Sequence, residues 1–127
     1  MLTISPIYAA LLAILYIALS VRVISQRFSD KISYGDGGSK NMIKAIRTHS
    51  NFVEYTPFAL LLIAMAELQN AGGLLLNLLG LTLLAGRVFH AYGFSRTPQI
   101  VILRRMGMLL TFTAILVAAI TNLALAM

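Results

Sequence analysis

Four stretches of the chain carry no charged residue: 1–21, 55–66, 68–86 and 106–127. A helix that crosses a bilayer needs about 20 mostly apolar residues. The first, third and fourth stretches meet that length alone. The second, Tyr55 to Ala66, falls short and has to take in polar turns from the Lys44–Glu54 side. The pattern predicts four transmembrane helices, over about 4–27, 41–69, 73–94 and 98–126, in a single domain spanning 1–127. The connections agree. Ser33 to Ser39 is turn chemistry with three glycines, and Asn41 is placed to cap the second helix. Gln69-Asn70-Ala71-Gly72-Gly73 reads as a tight hairpin, and Pro98 suits the first turn of the fourth helix.

Composition supports the same class. Hydrophobic residues make up 59% of the 127 and charged residues 11%, whereas soluble domains hold about 45–50% and about 25%. With a mean hydropathy of +0.86, a soluble globular domain is excluded, and disorder with it, since there is far too much apolar surface to bury. The absence of cysteine removes disulfides, zinc–cysteine sites and a cysteine nucleophile. The expected fold class is an all-α integral membrane protein, a four-helix bundle.

The net charge of +6 would point to nucleic acid in a soluble protein, but here placement matters more than the sum. Six of the ten basic residues (Arg22, Arg27, Lys31, Lys40, Lys44, Arg47) lie between the first and second apolar runs. The other four (Arg87, Arg96, Arg104, Arg105) lie between the third and fourth. The N-terminus, the 69–73 turn and the C-terminal tail have none. With four spans, both basic connections fall on one side. The positive-inside rule makes that side cytoplasmic, with both termini outside. Met1 to Ser5 lacks the basic residue of a signal peptide, so an uncleaved first helix is expected. Lipid-facing helices leave no soluble body for a nucleic-acid partner. A small four-helix exporter is disfavoured by the charge bias and by a first helix without a carboxylate.

Ionisable groups at membrane depth are functional-site hypotheses, weaker near the surface where long side chains snorkel. At 100° per residue, Arg47, Asn51 and Glu54 share one stripe of the second helix, bordered by Tyr55. That stripe fits either a structural ion pair or a pocket for a zwitterionic, multiply hydrogen-bonding ligand. His49 points to the opposite face, toward a headgroup or subunit contact. With only one other histidine, 41 residues away, no metal site is supported. Arg87 and His90, one turn apart, close the third helix near Tyr92 and Phe94; Arg87 by itself reads as a snorkelling end-of-helix cation. Arg104-Arg105 by itself marks the cytoplasmic end of the fourth span.

Arg47-x-His49-x-Asn51-x-x-Glu54-Tyr55-x-Pro57 resembles the signature of MAPEG proteins, the membrane-associated proteins in eicosanoid and glutathione metabolism. Gly86-Arg87-x-x-His90-x-x-Gly93-Phe94 is similar to that family's second signature, and Val23-Ile24-Ser25-Gln26-Arg27 is a weaker third match. The Gly35-Asp36-Gly37-Gly38 lead-in resembles bacterial members, whose location would be the inner (plasma) membrane. The resemblance implies a homotrimer with active sites at subunit interfaces, glutathione as co-substrate from the cytoplasmic side, and a hydrophobic electrophile from the lipid. It implies a glutathione transferase, with peroxidase activity in reach of the same thiolate chemistry, or a non-catalytic lipid or glutathione binder. Carried over, Arg27, Arg47, Asn51, Glu54 and Tyr55 match glutathione-contacting positions, with His49, Arg87, His90 and Phe94 at further motif positions. Arg104 or Arg105 would hold the thiolate. Two departures stand out: the spacing from Arg87 in better-studied relatives lands on Val101 or Leu103, and Phe94 stands where many have tyrosine.

Overall fold

The structure is a computed structural model describing residues 1–127. It consists of four long helices: α1 (Ser5–Asp30), α2 (Lys40–Leu68), α3 (Gly73–Ser95) and α4 (Val101–Ala126). All four are long and apolar enough to cross a membrane. At about 1.5 Å per residue the shortest is about 35 Å, more than the roughly 30 Å hydrocarbon thickness. Their packing puts α2 and α3 in the centre. Each touches the other and both outer helices, while α1 and α4 flank them on opposite sides without meeting.

Only 26 of 127 residues are buried, and large apolar side chains such as Ile14, Ile17, Leu116 and Leu123 point outward. That distribution is inverted relative to a soluble protein, and it suits a chain whose solvent is lipid. The core is a thin seam of Leu12, Ile63, Leu76, Leu83 and small residues such as Ala59, Ala66, Ala114 and Ala118. Small residues let helix backbones come close where lipid removes the usual hydrophobic drive for association. The α3–α4 pair is the tightest case. A Cβ built on Gly107 would lie 2.6 Å from the Gly86 carbonyl oxygen, and one on Gly93 would lie 2.8 Å from the Arg104 nitrogen.

The helix ends refine the sequence-based expectations. The cap of α2 is Ser39, not Asn41: its hydroxyl accepts from the Met42 N–H at 3.2 Å. Helix α1 runs to Asp30, three residues past the expected Arg27, with Gln26 donating to Asp30 at 2.9 Å. It stops at Lys31, whose positive φ of 54° turns its N–H back to the Arg27 carbonyl. Helix α4 starts at Val101 rather than Pro98, because the Ile100 N–H reaches across to the Gly93 carbonyl at 3.0 Å. The chain from Arg96 to Ile100 is therefore a clasp on the end of α3.

Candidate functional site

Toward the end of the bundle that carries the 31–39 and 96–100 connections, three helices enclose a small polar cavity. Its lining is Arg47, Ser50, Asn51 and Glu54 from α2, His90 and Phe94 from α3, and Arg104 from α4. The stripe that helical spacing places on one face of α2 thus meets the second motif on α3 and one of the two arginines on α4. Arg47 and Glu54 both face outward beside this cavity and do not pair with each other within the chain. The ion pair that their spacing allowed is absent.

His90 is 3% exposed and stacks on Phe94 with ring centroids 5.7 Å apart. The Arg104 guanidinium covers the other aromatic partner in this column, 4.4 Å from the Phe94 ring centroid, and donates to Gln99 at 3.1 Å. A cation over an aromatic face is attracted by the ring quadrupole. The column fixes where α4 offers its charge, and it offers it to the cavity.

Arg87 overturns its reading as a snorkelling cation. It is 1% exposed, deep between helices rather than at the surface. Its Nη1 donates to Asn51 Oδ1 at 2.7 Å, its Nε to Thr111 Oγ1 at 3.0 Å and its Nη2 to Met108 Sδ at 3.4 Å. The guanidinium carbon also lies 5.9 Å over the Tyr55 ring, which packs edge-on against Phe112 of α4. A charge this buried without a carboxylate partner is expensive, and the acceptors that Asn51 of α2 and Thr111 and Met108 of α4 bring to it offset part of the cost.

Other expected site residues lie elsewhere within one chain. Arg27 donates to the Gly35 carbonyl at 3.0 Å and lines an open groove with Ile24, Phe28 and Lys31. His49 faces α1, with Nε2 3.1 Å from Ser20 Oγ and its ring 5.4 Å from that of Tyr16. Arg105 lines a separate, more open hollow on α4 with Val101, Arg104 and Met108. Arg104 is therefore shared between the polar cavity and this second hollow. Sequence reasoning did not single out Ser50, Thr111 or Met108. For Thr111 the available signal was its place two turns after Arg104 on the same helix.

Fold and site together define a four-helix integral membrane protein with a polar cavity at one end, lined by Arg47 and Arg104 and backed by the buried Arg87. The chain belongs to the MAPEG family, whose model it matches over residues 5–124. It is 38% identical over 120 residues to the inner membrane protein YecN of Escherichia coli strain K12, covering 94% of this chain and 90% of that protein. The same figures hold for inner membrane protein YecN of Escherichia coli O6:H1, strain CFT073. Those names give a membrane location and no reaction.

Proposed function

We propose that the protein is a membrane glutathione transferase that binds glutathione at the polar cavity and conjugates it, as thiolate, to hydrophobic electrophiles from the bilayer. The observation that carries this reading is the convergence of Arg47, Asn51, Glu54, His90 and Arg104 from three helices on one cavity. Glutathione has two carboxylates and one ammonium. Guanidinium groups suit the former and Glu54 the latter. The cavity holds about 80 Å³ in one chain, against roughly 300–1,000 Å³ for typical small-molecule sites. A tripeptide therefore extends beyond it, across the outward-facing Arg47 and Glu54. A neighbouring subunit would complete the site, which supports a homotrimer in which Arg27 is supplied across the interface. The ten-to-nil charge split supports an inner-membrane orientation with the cavity end cytoplasmic.

The protein's task is to hold the sulfur as thiolate, which attacks the electrophilic carbon while the leaving group departs with the bonding pair. A free thiol has a pKa near 8.5, and lowering it by two units takes about 2.7 kcal/mol of preferential thiolate stabilisation. Arg104 is the candidate for it, since it lines both the polar cavity and the second, more open hollow on α4. Purified protein should conjugate glutathione to an electrophilic nitroarene. Arg104→Ala should lower turnover about 100-fold, the rate equivalent of that stabilisation, with a smaller loss of glutathione affinity. Full activity in both Arg104→Ala and Arg105→Ala rejects the thiolate assignment.

A second reading, a binder without catalysis, is favoured by Phe94, whose ring occupies one face of Arg104 and brings no hydroxyl to the site. It predicts thermal stabilisation by glutathione with no turnover of any electrophile.

A further inference from the structure

The Arg87–Asn51 contact has a consequence for what the cavity can recognise. An amide side chain is ambivalent: its oxygen accepts and its NH2 donates, and which end faces a ligand decides what it reads. A guanidinium is not ambivalent, since it has five N–H donors and no acceptor. The Asn51 atom 2.7 Å from Arg87 Nη1 must therefore be the carbonyl oxygen. Arg87 is in turn held from the other side. Thr111 donates to the Gly107 carbonyl at 2.8 Å and so presents a lone pair to Arg87 Nε at 3.0 Å, while Met108 sulfur takes Nη2. A chain of defined polarity runs from α4 through α3 to α2 and ends in the cavity wall.

We propose that Arg87 is a positioning residue: it turns the Asn51 amide so that its NH2, and not its oxygen, is offered to the cavity, and the cavity reads an acceptor oxygen of its ligand there. The ligand group at Asn51 is a carboxylate or carbonyl oxygen, and the ammonium is directed to Glu54. Choosing glutathione as probe rests on the transferase reading. The orientation of the amide does not.

The experiment is a double-mutant cycle on the full-length purified protein, with glutathione affinity measured by calorimetry and folding checked by thermal unfolding. Asn51→Ala and Arg87→Lys should each weaken glutathione binding about tenfold, the loss expected for one charge-assisted hydrogen bond. Together they should weaken it no further, because Arg87 acts through Asn51. If the two losses multiply instead, the positioning role is overturned. Asn51→Asp should bind more weakly than Asn51→Ala, since a carboxylate would then face the ligand's oxygen; tighter binding would mean that the amide oxygen reads an ammonium, and would overturn the inference. Should Arg87→Lys not fold, Thr111→Val replaces it, as it keeps side-chain shape and removes the hydroxyl that accepts from Arg87, along with that hydroxyl's own bond to the Gly107 carbonyl.

If the wild-type protein binds no glutathione, the transferase reading fails while the orientation remains open to measurement. Selective ¹⁵N labelling of asparagine, with the Asn51 side-chain signal assigned by its loss in Asn51→Ala, reads the amide directly. Arg87→Lys and Thr111→Val should both shift that signal. An unmoved signal in either folded variant overturns the proposal.

Discussion

Glu67 is the one carboxylate at the end of the bundle opposite the polar cavity, and it is 7% exposed. Its two oxygens accept from the backbone N–H groups of Thr3, Ile4 and Ser5, each at 2.7 Å, and from the hydroxyls of Thr3 and Ser5. The first turn of any helix leaves N–H groups without partners, and in or near lipid water does not readily supply them. Helix α1 has no side-chain cap of its own. Glu67 serves as that cap from another helix, and the positive end of the helix dipole favours its charge. Hydrogen bonds to charged groups are worth about 1.5–3 kcal/mol each, so Glu67→Ala should destabilise the fold by at least about 3 kcal/mol. Thermal unfolding in detergent measures this, with glutathione affinity expected unchanged because the cavity is at the other end. A melting temperature equal to wild type would show that α1 needs no cap. Nothing in the sequence marks this role, since the donors lie 62 to 64 residues away. The Arg47–Asn51–Glu54 stripe was legible for the opposite reason. One helix fixes it, whereas the burial of Arg87 depends on Thr111 and Met108 from a helix that spacing cannot place.

Among the elements, α3 and α4 position the chemistry through their glycines. Gly107 sits between Arg104 and Thr111 in sequence, one turn from each, and a Cβ there would run into the backbone of α3 at His90 and Gly86. The close approach is what brings Arg104 over Phe94 and Thr111 to Arg87. Gly107→Ala should therefore cost about 1–3 kcal/mol by overpacking and also weaken glutathione binding, because both flanking contacts lengthen. Gly72→Ala, with nothing within 4 Å of the added carbon, is the control and should change neither. Equal behaviour of the two variants in thermal unfolding would remove the backbone contact as an organising feature. The extent of each helix was legible from the sequence to within three residues, because apolar length is a local property. The late start of α4 was not, since it follows from Ile100 bonding to Gly93 on the preceding helix. That shift also bears on the departure in spacing after Arg87: the arginine that reaches the cavity is Arg104, set there by the clasp rather than by a count of residues.

For the whole molecule, the outward apolar faces of α1 and α4 and the one-sided basic charge are the features a bilayer reads. The four spans alone fix that both termini lie on one side, and only the cations choose which. Basic residues near span ends resist translocation, and all ten lie between the first and second or between the third and fourth uncharged runs, on the two connections or on the helix ends that flank them. The Gln69–Gly73 hairpin carries no charge. Because the chain has no cysteine, a single introduced thiol reports its own side of the membrane without background. In intact cells a membrane-impermeant maleimide should label Gly72→Cys and leave Ser33→Cys untouched until the membrane is permeabilised. Both positions are exposed at turns, so failure to react reflects sidedness rather than burial. The reversed pattern would place the polar cavity on the outer face, away from cytosolic glutathione, and would take the transferase reading down with the orientation. Labelling of both positions in intact cells would mean dual insertion, and would overturn the single orientation expected from the ten-to-nil charge asymmetry.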